Sequence, residues 1–226
     1  MKEIQTSQKD LAARSAVQDR SVSTPVGQLH LGLVIDRSGS MDHLQTAVVQ
    51  SVNKLVAKQR ELSSGAQVSL RLFNNEVKEI FSAPIDNVRP LTNADFRPTG
   101  GTALLDAIGS AIDAVAIKVG TGSRTPVVIA ICSDGEENAS QIYSRTEVLN
   151  QVISRRFAHG WQFLFLSCSE AARKFALDLG FQAEAIIEFD AAPAGLAAIL
   201  DRFSQALKNY RLGDKRALLA LNDRKP

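Results

Sequence analysis

Apolar runs and helical periods alternate along most of the chain. Leu31 to Ile35 carry no charge, as a strand covered on both faces requires, and the run ends abruptly in Asp36-Arg-Ser38-Gly-Ser40-Met-Asp42. From about residue 42 to 62, Leu44, Val48, Val52, Leu55 and Val56 recur at helical spacing until Ser63-Ser-Gly65 stops the pattern. Val68, Leu70 and Leu72 then alternate with polar residues, which predicts a second strand. Asn74-Asn75 resembles a hairpin turn into a short third strand from Val77 to Phe81, so this pair should form an antiparallel edge.

An irregular stretch over 84–98 ends in Pro98-Thr-Gly100-Gly-Thr102, after which Leu104, Leu105, Ile108, Ile112, Val115 and Val119 predict a helix. The next apolar run, 126–132, closes in Ser133-Asp134-Gly-Glu136-Glu137-Asn138 and repeats the strand-then-aspartate design of the first. A helix follows over about 144–158, with Val148, Leu149, Val152, Ile153 and Phe157 on its apolar side and Gly160 at its C′ position. The pattern then gives a strand over 161–166, a short helix over 169–179, a strand over 185–189 and a helix over 194–210. Strands alternating with helices imply parallel strands joined by right-handed crossovers, hence an α/β sheet. Residues 1–28 lack sustained periodicity and read as a polar N-terminal arm, 29–210 as one domain, and 211–226 as a basic C-terminal tail.

With 226 residues, 45% of them hydrophobic, the chain can bury one sizeable core. From Lys208 onward six basic residues face two acidic ones, a local +4, so 1–207 carry −2 of the overall +2. That body offers no basic face to nucleic acid, and the tail has too few charges and no aromatics for a nucleic-acid arm. No run is long enough to span a bilayer and the N-terminus has no apolar signal core, so a cytoplasmic location is expected. Cys132 and Cys168 end apolar runs, where small, reduced core residues are the expectation and a disulfide is not.

The candidate chemistry lies where the first and fourth strands end. Asp36, Ser38 and Ser40 put three oxygen donors at alternate positions of a tight loop, with Gly39 letting the backbone curl around a hard cation such as Mg²⁺ or Mn²⁺. Asp134 ends the other strand, as a metal site between neighbouring strands needs. Thr102 precedes a helix, and taken alone it reads as that helix's N-cap.

With Asp36-x-Ser38-Gly-Ser40, Gly100-Gly-Thr102 and Ser133-Asp134-Gly in order on an α/β scaffold, the chain resembles the von Willebrand factor type A domain over about 29–210. The resemblance implies a doubly wound, Rossmann-like six-stranded sheet in the order 3-2-1-4-5-6 with helices on both faces. It also implies a metal-ion-dependent adhesion site in which Ser38, Ser40 and Thr102 ligate Mg²⁺ directly or through water, with Asp36 and Asp134 mostly behind. Leu72-Phe-Asn-Asn-Glu-Val77, the run Gly100 to Gly109 and Phe189-Asp-Ala-Ala-Pro-Ala-Gly195 are similar to stand-alone cytosolic domains of bacteria, including those found with tellurite-resistance and stress proteins. Such relatives often carry Gly-Ala-Asn after the fifth strand, where this chain has Ser167-Cys168-Ser169.

Three functions compete. A binding module would take an Asp or Glu carboxylate of a partner protein at the open metal position, because neutral hydroxyls leave the cation under-neutralised. A metal-dependent phosphohydrolase would use Asp36 as nucleophile, but that chemistry wants a second carboxylate at position 38, which is serine; no Gly-x-Ser-x-Gly elbow is present either. A metal-free scaffold would leave Asp36 and Asp134 facing each other uncompensated. The first is favoured, and no enzymatic activity is expected. His43 reads as a solvent-facing residue of the helix's first turn, His30 and His159 as surface or helix-dipole residues, and Glu136 and Glu137 as solvated loop acids.

Overall fold

The computed structural model describes residues 28–62, 65–120, 122–134 and 136–222. Nearly all of the polar arm, 1–27, lies outside them. The chain builds β1 (Leu29–Asp36), α1 (Gln45–Arg60), β2 (Ala66–Phe73), β3 (Val77–Pro84), α2 (Leu104–Val119) and β4 (Val127–Ser133). It continues through α3 (Arg145–His159), β5 (Gln162–Ser167), α4 (Glu170–Asp178), β6 (Ile186–Glu188) and α5 (Pro193–Arg211). One sheet runs β3-β2-β1-β4-β5-β6, all strands parallel except β3, which pairs antiparallel with β2.

Every residue of β1 is buried, so its alternation serves two core layers. Leu29, Leu31, Leu33 and Ile35 pack with α1 and α5, whereas Val34 packs with α2, α3 and α4 on the other face. β1 and β4 are neighbours in register from His30 opposite Val127 to Ile35 opposite Cys132. Their C-terminal ends therefore emerge side by side at the point where strand order reverses, the crevice in which such sheets bind ligands.

Local chemistry ends the elements. Ser144 and Glu147 form a reciprocal capping box at the start of α3, and Gly160 terminates that helix with a left-handed φ of 67°, as the sequence predicts. The first helix begins later than its periodicity suggests: residues 39–44 form a 3₁₀ turn, tightened by the Met41 amide donating to Ser38 O at 3.1 Å, and the α-helix starts at Gln45. In α3, Val148 and Val152 are buried, but Ile153 is at the rim and Phe157 is 76% exposed. The buried stripe is thus one row of side chains, and the 149–153 row lies over Gly180 at the edge of the layer. Phe157 lies under the Arg156 guanidinium, 4.7 Å from its ring centroid.

Residues assigned to the basic tail are built into the domain as far as Asn222. Ala217, Leu218 and Leu221 are buried against the α1/α5 layer, and the Arg211 guanidinium is buried, donating to Gln59 O at 2.6 Å and Gln59 Oε1 at 3.2 Å. Nothing in the sequence signals this because, beyond Arg211 at the end of α5, the contacts come from irregular turns and a 3₁₀ turn over 215–221, too short to show a period. His30 also departs from its expected surface role: it is 3% exposed, because β1 is covered on both faces from its first residue. His159 is the exposed last residue of α3. Among the described residues no helix is long and apolar enough to cross a membrane.

Candidate metal centre

Asp36 ends β1 with its side chain fully buried, and its two oxygens are held from different segments, the loop that follows β1 and the end of β4. Oδ1 accepts the Ser38 amide at 2.7 Å, and Oδ2 accepts the Ser133 hydroxyl of β4 at 2.6 Å. Burial pushes this carboxyl above its ordinary pKa; the bonds from Ser133 and Ser38 oppose that, and the charge of Asp134 adds to it.

From Asp36 a row of oxygens leads outward. Ser38 Oγ, buried, lies 3.1 Å from Ser40 Oγ, which is exposed and donates to Asp134 Oδ1 at 2.8 Å. Sequence neighbours of one loop thereby meet a carboxylate that lies 94 residues away in the chain.

Thr102 reaches the same place through its backbone. The Gly39 amide donates to Gly100 O at 3.1 Å and the Thr99 amide to Arg37 O at 2.9 Å, which lays the glycine loop against the serine loop. Thr102 is buried, its amide donating to Asn138 Oδ1 at 2.8 Å and its carbonyl accepting the Asn138 amide at 3.1 Å. It does not cap α2: the N-cap position is Ala103, which makes no side-chain cap bond. The first-turn amides find acceptors across the fold instead, Leu105 on Glu137 Oε2 at 2.9 Å and Asp106 on Ser140 Oγ at 3.1 Å. A carboxylate there also suits the positive end of the helix dipole. Glu137 is therefore no merely solvated acid, since it also takes the amides of Ala139 at 3.0 Å and Ser140 at 2.8 Å.

His43 is exposed but engaged. Its Nδ1 lies 2.9 Å from Ser40 O and its Nε2 3.2 Å from Ala191 O, so it spans the serine loop and the segment between β6 and α5. Both partners are acceptors and a neutral imidazole carries one N–H, so the neutral ring donates to only one of them.

The donor set fits a hard cation. It consists of hydroxyls and carboxylates, the ligands of Mg²⁺ and Mn²⁺, and among the described residues no group of three or more His, Cys, Asp and Glu side chains is placed to hold a metal. Cys168, at the end of β5, stays a thiol at neutral pH because burial and the charge of Asp134 push its pKa up to about 11. Both cysteines are free, as expected.

Residues 30–161 match the model of the von Willebrand factor type A domain. The chain belongs to the von Willebrand factor type A family. VWA domains are protein-interaction modules. Among solved structures, the chain is similar to the ArnB paralog VWA2 from Sulfolobus acidocaldarius at 18% identity and a TM-score of 0.54, covering 78% of this chain and 45% of that one. A D319A mutant of the PilB minor pilin from Streptococcus sanguinis matches at 12% identity and 0.59, covering 88% and 64%. The pilus adhesin SpaC from Lactobacillus rhamnosus GG, in an open conformation, matches at 14% identity and 0.62, covering 83% and 31%. The chain thus spans less than two thirds of each of these proteins, and the likeness is one of fold. No curated protein sequence matches it.

Of the five residues the VWA resemblance singles out, hydrogen bonds link Ser38 to Asp36 and Ser40, and Ser40 to Asp134; Thr102 is linked only through neighbours, its backbone to Asn138 on the Asp134 loop and its loop, through Gly100, to Gly39. The supporting residues were missed. Ser133 carries no role in the Ser133-Asp134-Gly motif as sequence, and Asn74 and Asn75 carry only a turn signal, although Asn75 Oδ1 accepts the Gly101 amide at 2.8 Å and Asn74 O the Ala103 amide at 2.7 Å. Asn138 and Glu137 act across tertiary distances, which no local spacing records.

Proposed function

We propose that this VWA domain is a metal-ion-dependent protein-interaction module. Ser38, Ser40 and Thr102 hold Mg²⁺ or Mn²⁺, with Asp36 and Asp134 mostly behind them, and an Asp or Glu of a partner protein completes the site. A bound divalent ion supplies a positive, exchangeable coordination position for that carboxylate. The observation that carries this reading is the row from buried Ser38 through exposed Ser40 to Asp134, which brings oxygen donors of two strand ends to one point at the surface. Asp36 fixes the loop by holding the Ser38 amide, and Ser133 holds Asp36.

The same contacts argue against a phosphohydrolase. A nucleophilic Asp36 would need an accessible oxygen, yet the side chain is fully buried with both oxygens in hydrogen bonds. From the stretches around Asn74, Thr102 and Asp190 we further assign the chain to the stand-alone cytosolic VWA proteins of bacteria, in complexes of the stress or tellurite-resistance kind.

Calorimetric titration with Mn²⁺ tests the site. The wild type should bind, and Asp134→Ala should lose binding with an unchanged circular dichroism spectrum. Asp36→Asn keeps the shape of the buried group and should weaken binding by about tenfold or more. Equal Mn²⁺ affinity in all three proteins contradicts the reading, and phosphatase turnover abolished by Asp36→Asn would instead favour the enzyme.

A further inference from the structure

We infer that Asn138 is a positioning residue that fixes Thr102 at a set spacing from Asp134 before any cation arrives, an inference that rests on the metal reading above. Three loops meet at the site, and each is hydrogen-bonded to the other two. Asp134 takes the Ser40 hydroxyl at 2.8 Å, the Gly39 amide donates to Gly100 O at 3.1 Å, and Asn138 closes the ring by gripping both the amide and the carbonyl of Thr102, at 2.8 and 3.1 Å. Asn138 follows Asp134 by four residues on one loop, so the grip links the Thr102 and Asp134 segments directly.

The glycines show how closely the clasp fits. A Cβ on Gly101 would stand 2.7 Å from Asn138 Oδ1 and 3.2 Å from Asn75 Nδ2, so the two asparagines occupy the space a side chain there would take. Asn75 Oδ1 also accepts the Gly101 amide at 2.8 Å, and Asn74 O accepts the Ala103 amide at 2.7 Å, so the chain is held on both sides of Thr102. Thr102 is 3% exposed, which leaves solvent poorly placed to replace Asn138 as acceptor for its amide. A donor held in place in this way loses less freedom on binding, and removing such supports from metal ligands typically costs 10–100-fold in affinity, about the range expected here.

The test compares Mn²⁺ titration of wild type, Asn138→Ala and Asn138→Asp with hydrogen exchange at the Thr102 amide in metal-free protein. Asn138→Ala should bind Mn²⁺ about tenfold more weakly and exchange the Thr102 amide faster. Asn138→Asp keeps an acceptor oxygen for the Thr102 amide and adds a negative charge, so its affinity should equal or exceed that of the wild type and its Thr102 amide should exchange as slowly as in the wild type. Unchanged affinity in Asn138→Ala overturns the inference alone. Should that variant not fold, Asn138→Asp decides: affinity below wild type overturns it. A wild type that binds no Mn²⁺ overturns the metal reading itself, and the inference with it.

Discussion

His30 and Asp36 are both buried on β1, and their surroundings move them in opposite directions. Burial, then the charges of Lys118 and Arg71, lower the His30 pKa to about 4, and among the described residues its Nε2 has no hydrogen-bond partner. The unfolded chain therefore takes up this proton near its ordinary pKa of 6.5 and the folded chain only near 4, so stability falls as pH drops through that window. The full difference is on the order of 3 kcal/mol. Asp36, shifted upward by burial, works in the opposite sense, because as pH falls the folded state takes up its proton before the unfolded chain does. Urea unfolding of His30→Leu at pH 7.5 and pH 4.5 should show a shallower loss of stability than the wild type; an identical loss rules His30 out as the titrating group. His30 stands just ahead of the apolar run Leu31 to Ile35 and reads there as a surface residue; that the imidazole is buried, neutral and unpaired depends on the strands beside β1 and on Lys118 and Arg71, which come from α2 and β2.

At the scale of elements, the helices that frame the site are anchored by side chains from other segments. Asp106, in the first turn of α2, accepts the amides of Gln141 at 2.9 Å, Ile142 at 2.9 Å and Tyr143 at 2.8 Å, and so fastens the loop after Asp134 onto the helix that follows Thr102. Gly109, one turn on, is where Tyr143 lies: an added Cβ would fall on the ring, which the bond from Tyr143 Oη to Asp113 Oδ2 at 2.7 Å holds in place. Gly109→Ala should therefore destabilise the domain. The helix propensity gained, about 0.5–1 kcal/mol, is outweighed by an overpacking cost of about 1–3 kcal/mol. Thermal unfolding checks this, and a raised melting temperature would show that the ring moves aside at little cost. In the sequence Gly109 looked like any interior helix glycine, since nothing local marks a tyrosine 34 positions away as its neighbour.

For the whole molecule, the sheet order brings the loops of the candidate site together at one end of the domain. β1 and β4 are adjacent although β2 and β3 intervene in sequence, so Asp36 and Asp134 arrive together from strands pointing the same way. If a partner carboxylate completes the site, removing the cation with chelator, replacing Thr102→Val, and changing the partner's acid to its amide each break the same link. Each should weaken the complex by on the order of 2 kcal/mol, and the losses should not sum. A double-mutant cycle in a pull-down with the partner measures this; additive losses, or a complex indifferent to chelation, would place the contact elsewhere on the domain.

The alternation of buried runs with helical periods determined the six strands, the five helices and the parallel α/β class, because burial on two faces and one-sided helices leave direct marks in local sequence. Asp36, Ser38, Ser40 and Asp134 stand out in the sequence as polar interruptions where apolar strands end, whereas Thr102 taken alone reads as a helix cap and joins them only through the resemblance to the von Willebrand factor type A domain. Tertiary structure decided what the three-residue hydrogen bonds of 39–44, the buried turn after Arg211 and the first-turn amides of α2 would do. It also decided that Asn138, Ser133 and Glu137 would support the site rather than lie on its surface. Their partners are brought up by the sheet, and a hydrogen bond between distant segments depends on where both ends come to rest, which neither segment encodes by itself.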